Sequence, residues 1–216
     1  MMEKCIEEIE KQLIERYPLL AAVEVQIKDA YEAMYECFAS GHKLLIAGNG
    51  GSAADADHIV GELMKGFIKK RPLSEELKKS LQNLDHIQGA ELSRQLQQGL
   101  PAIALHNHQA LNTAVLNDID GTVMYAQQVC GYGQPGDIFL GISTSGNSVD
   151  VYNAALIAKA KKMKVIGLLG KNGGKLKSTS DIAIIVPEQE TFKIQELHLP
   201  IYHALCLMLE RTFFEE

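Results

Sequence analysis

Residues 43–53 read KLLIAGNGGSA, a short apolar run that passes directly into a glycine-rich turn. The predicted strand Lys43–Ala47 is nearly all apolar rather than alternating, as expected of a strand covered on both faces. The glycines allow a tight turn, and Ser52 stands where a helix begins. This strand–turn–helix unit predicts an α/β protein built on a parallel sheet.

Four further runs of the same kind predict the rest of the sheet: Pro101–Leu105, Ile138–Ile142, Lys164–Leu169 and Ile182–Val186. The segments between them predict helices: Ser52–Met64, Gln109–Val129 with a break at Asn117–Gly121, Ser148–Lys162 and Thr191–Phe214. Composition does not shift along the chain, so one domain over residues 1–216 is expected.

Two segments lie outside this alternation of strands and helices. Residues from about 4 to 40 carry apolar positions at three- and four-residue steps, which predicts one or two helices, broken or bent near Pro18 and ended by Gly41. Residues from about 67 to 99 are polar and predict a helical insertion, with a helix start at Ser74 and a second helix, Ala90–Gln98. The insertion either borders the site or is a tolerated surface element without function.

Bulk composition excludes several classes of partner. The net charge is −6 and the pI is near 5.7, whereas nucleic acid and anionic membranes require a basic face. No run approaches the roughly 18 apolar residues of a membrane span. The four cysteines, without a CxxC pair or a secretory leader, predict reduced thiols in the cytoplasm; they are Cys5, Cys37, Cys130 and Cys206.

A second turn resembles the first in position and chemistry. Residues 143–148 read STSGNS and follow the predicted strand Ile138–Ile142. Hydroxyls and amides at the carboxyl end of a buried strand suit an anion, although either turn alone is also compatible with a plain connection. Neither turn matches GxxxxGKS/T or GxGxxG, so no nucleotide cofactor is expected.

Acid–base residues occur on two predicted helices. His58 and Glu62 are four residues apart and share a helix face, and Gln195 and His203 lie on the last helix. These groups suit Zn²⁺ or a similar divalent ion, and they equally suit proton transfer without a metal. Spacing alone leaves two alternatives open. His58 and Glu62 are also compatible with an ordinary surface pair, and His203 with a half-buried histidine of an amphipathic helix.

Taken together, four motifs in order resemble the phosphoheptose isomerase family of SIS (sugar isomerase) domains: GNGGSA at 48–53, the His58–Glu62 pair, GISTSGNS at 141–148 and IQELHLPIYH at 194–203. The resemblance implies a three-layer αβα sandwich and an isomerase that interconverts sedoheptulose 7-phosphate and a heptose 7-phosphate through an enediol. It also implies a homotetramer with shared sites, in which the apolar face of the N-terminal helix packs on a partner.

The resemblance implies roles for individual residues. Glu62 matches the catalytic base and His203 the partner acid/base. The zinc-binding members of the family use positions that match His58, Glu62, Gln195 and His203, and Gln195 also lies by the substrate. The remaining matches are substrate- or phosphate-binding positions: Asn49, Gly50, Ser52, Asn117, Asp118, Ser143, Thr144, Ser145 and Ser148.

The chain departs from the family pattern in three places. The 67–99 insertion is one, Pro200 is predicted to interrupt and bend the last helix, and the segment before Ile194 lacks an Asp-Arg pair. Two alternatives therefore stand beside the leading hypothesis: an isomerase for another sugar phosphate, and a non-catalytic SIS module that binds phosphosugars or a protein.

Overall fold

The computed structural model describes residues 2–214, so residues 1, 215 and 216 of the predicted domain lie outside the described residues. Its sheet contains five parallel strands in the order β2-β1-β3-β4-β5. The strands are β1 (Leu44–Ala47), β2 (Ala102–Ala104), β3 (Ile138–Ser143), β4 (Lys164–Leu169) and β5 (Ile182–Ile185). Each predicted strand is therefore present, and the five-stranded parallel sheet is confirmed.

Helices cover both faces of the sheet. They are α1 (Met2–Arg16), α2 (Glu24–Ala39), α3 (Gly51–Met64), α4 (Glu75–Leu84), α5 (His86–Gln95), α6 (Gln109–Asp118), α7 (Met124–Tyr132), α8 (Val149–Ala160), α9 (Gly174–Thr179) and α10 (Thr191–Phe214). Within residues 2–214, none of these helices is both long enough and apolar enough to cross a bilayer.

Alternate residues of each strand enter different cores. Leu44 and Ile46 belong to a core that also contains side chains of α1, α2, α3 and α10. Leu45 and Ala47 belong to a second core with α7, α8 and α9. Burial on both faces explains why the strands are uniformly apolar, and the three-layer αβα sandwich is confirmed.

The N-terminal segment forms two helices, as predicted. The chain does break at Pro18, which begins a 3-10 turn, Pro18–Val23, between α1 and α2. Ile6 and Leu13 are buried in the core shared with α10 of the same chain. Helix α10 therefore covers this face of α1 within the chain, whereas Leu19 and Val25 remain 55% and 66% exposed; packing of the segment on a partner subunit stays a prediction.

The insertion forms a hairpin of two helices, α4 and α5. Ser74 caps α4, its Oγ accepting the Leu77 N–H at 3.3 Å. Asp85 caps α5, which therefore begins at His86 and not at Ala90 as predicted. None of the residues of α4 is buried.

The last helix runs without interruption through Pro200, so the predicted break there was wrong. Proline removes the N–H that would bond the carbonyl four residues earlier, which is that of Glu196. The helix tolerates the loss of this one hydrogen bond.

Candidate functional site

Two strand-to-helix turns meet at the point where the strand order reverses. The first loop (residues 48–52) follows β1, the second loop (residues 143–148) follows β3, and these strands are neighbours. Ligands of open α/β sheets bind at the carboxyl ends of strands at such a switch point. Asn49 of the first loop donates its amide to both carboxylate oxygens of Asp150, just after the second loop, at 3.0 and 2.9 Å. The structure therefore brings the two predicted loops together.

Glycine is required in the first loop. Gly50 has a φ of +57°, and a Cβ on Gly48 would lie 2.6 Å from the backbone oxygen of Ser52. Tyr125 donates its hydroxyl to the Gly48 carbonyl at 2.7 Å. Burial, with the nearby Asp150 carboxylate, raises the pKa of Tyr125 to about 12, so the hydroxyl remains a donor. Ser52 is buried in the first turn of α3 beside this bend.

The second loop is closed by its own serines. The hydroxyls of Ser143 and Ser148 are 2.9 Å apart, and the Gly146 N–H donates to Ser143 Oγ at 3.1 Å. Thr144 and Ser145 are partly exposed above this closure. The hydroxyls of Ser143 and Ser148 therefore meet within the loop, at the carboxyl end of β3.

The turn at residues 171–175 supports the second loop from outside. The Leu176 N–H donates to the Gly146 carbonyl at 3.0 Å, and the Lys175 N–H donates to Asn147 Oδ1 at 3.2 Å. A Cβ on Gly146 would lie 1.9 Å from the Gly173 oxygen, so the two turns are in close contact.

His58, Glu62, Tyr202 and His203 form what we call the histidine cluster, between α3 and α10. His58 Nε2 lies 3.3 Å from Glu62 Oε1 and 3.4 Å from His203 Nε2. Glu62 Oε2 is buried without a hydrogen bond to any described residue, and Lys65 Nζ is 3.6 Å away. A buried carboxylate oxygen without a partner calls for a ligand, substrate or water.

A hydrogen-bond chain orients His58. Tyr202 donates its hydroxyl to Asp55 Oδ1 at 3.2 Å, and the same oxygen of Tyr202 lies 3.0 Å from His58 Nδ1. Since the one hydroxyl hydrogen is used on Asp55, His58 Nδ1 donates to the Tyr202 oxygen, and His58 Nε2 faces Glu62 and His203. Burial raises the pKa of both Tyr202 and Asp55.

The surroundings of His203 favour its neutral imidazole form. Burial, and then the neighbouring His58, lowers its pKa below the ordinary value. Phe67 packs against its ring, with centroids 5.5 Å apart. A cleft of about 320 Å³ opens beside His203, lined among others by Gln12, Arg16 and Tyr17.

The other predicted residues are divided between two locations. Gln195 reaches the first loop, since a Cβ on Gly51 would lie 2.3 Å from Gln195 Nε2. Asn117 and Asp118 are exposed at the end of α6 and bond to each other at 2.8 Å. Within residues 2–214, no hydrogen bond of these two side chains joins the pair to either loop or to the histidine cluster.

The donor types of the histidine cluster fit zinc, which favours imidazole nitrogen and carboxylate oxygen. His58 Nε2 lies beside both Glu62 Oε1 and His203 Nε2, so imidazole and carboxylate groups meet at one point. Among the described residues, however, no three or more His, Cys, Asp or Glu side chains are arranged as they stand to hold a metal ion.

Sequence reasoning missed Asp55, Tyr125, Asp150 and Tyr202. Asp55 had a usable signal, because it lies three residues before His58 on the same face of α3. Tyr125 and Asp150 had none, since their role depends on the approach of separate elements.

Comparison with known proteins agrees with this architecture. The SIS domain family model matches residues 18–99 and 89–170. The chain therefore belongs to the SIS domain family.

Its relatives narrow the assignment. It is 37% identical to a phosphoheptose isomerase of Trichlorobacter lovleyi, over 95% of this chain and 94% of the relative. It is 38% identical to one of Nitratiruptor, over 96% of this chain and 100% of the relative. The solved phosphoheptose isomerase of Francisella tularensis superposes with a TM-score of 0.74 at 31% identity, over 96% of both chains. Within the SIS domains, the chain belongs to the phosphoheptose isomerases.

Proposed function

We propose that this protein isomerises sedoheptulose 7-phosphate to D-glycero-D-manno-heptose 7-phosphate. The observation that carries the proposal is the histidine cluster, since α3 joins it to the first loop. Ser52 and His58 are six residues apart on α3, an axial rise of about 9 Å. A phosphate held at the loops thus places the other end of an open-chain sugar near Glu62 and His203.

The chemistry needs one base and one acid. Glu62 takes the proton from C1 of the ketose while the Nε2–H of His203 protonates the C2 carbonyl oxygen, which forms the enediol. His203 then takes the proton from O1 as Glu62 returns its proton to C2, which forms the aldose. No oxidant or reductant is needed, and a neutral imidazole suits a donor that must also accept.

The two loops hold the phosphate. Ser52, Ser143, Thr144, Ser145 and Ser148 provide hydroxyls, Asn49 and Gly50 provide amide groups, and Gln195 lies against the loop. The phosphate contacts stay the same in the ground state and the transition state. We therefore expect substitutions in the two loops to raise KM more than they lower kcat.

The test is isomerase activity of purified protein on sedoheptulose 7-phosphate. Glu62→Gln keeps the shape of the side chain but removes the base, so we expect kcat to fall by about 100-fold or more. Glu196→Gln, at an exposed glutamate of α10, is the matched control and should retain activity. Undiminished activity in Glu62→Gln would discard this mechanism. Stronger thermal stabilisation by another sugar phosphate would assign a different substrate.

We further propose that His58, Glu62, Gln195 and His203 hold one Zn²⁺ when the metal is present. When bound, the ion would polarise the substrate oxygens at C1 and C2. The imidazole and carboxylate donors of His58, Glu62 and His203 support this, and Gln195 is included by resemblance to the family.

Zinc content measured by mass spectrometry after dialysis against the metal tests the zinc proposal without reference to activity. We expect about one zinc per chain in the wild type and a loss in His58→Ala. Equal zinc content in the wild type and His58→Ala would reject this ligand set.

We also propose a cytoplasmic homotetramer with shared sites. Four free cysteines support a reducing compartment. Leu116 and Ile119, exposed by 64% and 63%, flank Asn117 and Asp118. These exposed apolar side chains beside the pair support docking onto another subunit, with Asn117 and Asp118 at a site shared between chains.

A further inference from the structure

A buried ion pair lies outside the residues assigned above. Arg71 follows α3 at the start of the insertion, and Glu210 lies near the end of α10. They are 0% and 1% exposed, and their closest nitrogen and oxygen are 2.9 Å apart. A buried pair costs desolvation free energy unless further hydrogen bonds compensate it, so its other contacts indicate its role.

The Arg71 guanidinium caps the helix that carries Glu62. One terminal nitrogen donates to the Leu63 carbonyl at 2.7 Å and the other donates to the Glu62 carbonyl at 2.9 Å. The last carbonyls of a helix lack intrahelical donors and form the negative end of its dipole, which favours a cation there. Arg71 therefore holds the backbone of Glu62 directly.

Glu210 holds the same segment from α10. It accepts the N–H groups of Phe67, Ile68 and Lys69 at 2.8, 2.9 and 3.2 Å, and the Arg71 Nε–H at 2.9 Å. Burial opposes ionisation, but these donors together lower the pKa of Glu210 below its usual range. The carboxylate is therefore a charged anchor.

The anchor and His203 share a face of α10. Seven residues separate them, which is about 20° short of two full turns. Phe67, whose N–H bonds to Glu210, packs its ring on His203. The Arg71–Glu210 pair thus connects the end of α3, at Glu62, to a position on α10 that lies two turns beyond His203.

We infer that Arg71 and Glu210 are positioning residues that set the spacing between the Glu62 carboxylate and the His203 imidazole. The inference rests on the proposed isomerase function. Proton transfer between adjacent carbons depends on that spacing, and a misplacement of about 1 Å can lower the rate about 100-fold.

The test compares Arg71→Met/Glu210→Gln with Arg71→Lys. The double variant removes both charges, and the amide that replaces the Glu210 carboxylate keeps an oxygen for the backbone N–H groups. Lysine keeps the charge of Arg71 but cannot reach three acceptors at once.

Active sites are counted by calorimetric titration with inorganic phosphate, and kcat is given per phosphate-binding site. We expect kcat to fall roughly 10- to 100-fold in the double variant and less in Arg71→Lys, with KM within about twofold of wild type.

A purely structural role would reduce the number of binding sites and leave kcat per site unchanged, which would overturn the inference. If the double variant does not fold, Arg71→Lys decides alone, and a kcat within about twofold of wild type overturns the inference. Lys159→Met, which breaks the exposed pair with Asp181, is the matched control and should keep wild-type kcat. An inactive wild type would instead reject the proposed function.

Discussion

Two histidines of α10 show how one helix places the same residue type in two different environments. His198 is fully buried and its Nε2 lies 3.1 Å from the Leu169 carbonyl, whereas His203 is partly exposed beside His58. Five residues separate them, a rotation of about 140°, so they face different environments. Residue type alone does not distinguish the two; the direction in which each side chain leaves the helix does.

His198 predicts a specific loss of stability in acid. Burial lowers its pKa to about 4 from the ordinary 6.5, so the unfolded chain takes up a proton in this pH window while the folded chain does not. Stability therefore falls as the pH falls from 6.5 toward 4, with a slope from this group of up to about 1.4 kcal/mol per pH unit. Denaturant unfolding across this window, at one protein concentration, should show a smaller slope in His198→Gln.

The control for this measurement is His86→Gln, which removes an exposed histidine of α5. Identical slopes in the wild type and His198→Gln would mean that the imidazole is not the group responsible.

At the scale of elements, the hairpin α4–α5 is attached through a narrow base. Pro72 and Gln97 form an antiparallel bridge, and Gln97 Oε1 accepts the N–H groups of Gly66 and Arg71 at 3.2 Å. Beyond this base, Leu84 and Ile87 at the tip are 85% and 83% exposed. The hairpin packs on itself more than on the sheet.

We therefore predict that the hairpin is dispensable for folding. Replacing residues 74–95 by a short Gly/Ser linker keeps Arg71 and the base, and should change the free energy of unfolding by about 1 kcal/mol or less. Denaturant unfolding and phosphate titration measure both properties. Loss of cooperative unfolding would show that the hairpin belongs to the core, and a changed KM with intact folding would place it at the site.

At the scale of the whole molecule, topology creates the binding edge. β1 and β3 are adjacent although about 90 residues separate them in the sequence, and their two loops open at the same edge. Helix α3 then packs on one face of the sheet and α8 on the other, which leaves a crevice between the two loops. Asn117 and Asp118 are exposed at the end of α6, which follows the neighbouring strand β2.

At this scale we predict that the protein assembles into a homotetramer. Light scattering after gel filtration should give about four times the chain mass of 23.7 kDa. Leu116→Ser/Ile119→Ser should give smaller species with reduced activity, because it removes the exposed apolar side chains beside Asn117. Leu84→Ser/Ile87→Ser changes similarly exposed residues at the hairpin tip and serves as the control. A monomeric wild type with full activity would exclude shared sites.

The sequence by itself determined the positions of the five strands and the two loops, and it predicted that His58 and Glu62 share a helix face. These are local properties: an apolar run, a glycine-rich turn and a shared helix face are all visible within a few residues. Caps such as Asp85 are equally local, and the error at the start of α5 came from overlooking one.

Only the tertiary structure decided which distant groups meet. The contact of His58 with His203 joins residues 145 positions apart, and Arg71 meets Glu210 across 139. The same holds for the covering of α1 by α10 and for the tolerance of Pro200. Such contacts depend on how helices pack across the sheet, which involves the whole core at once, so no single segment of sequence encodes them.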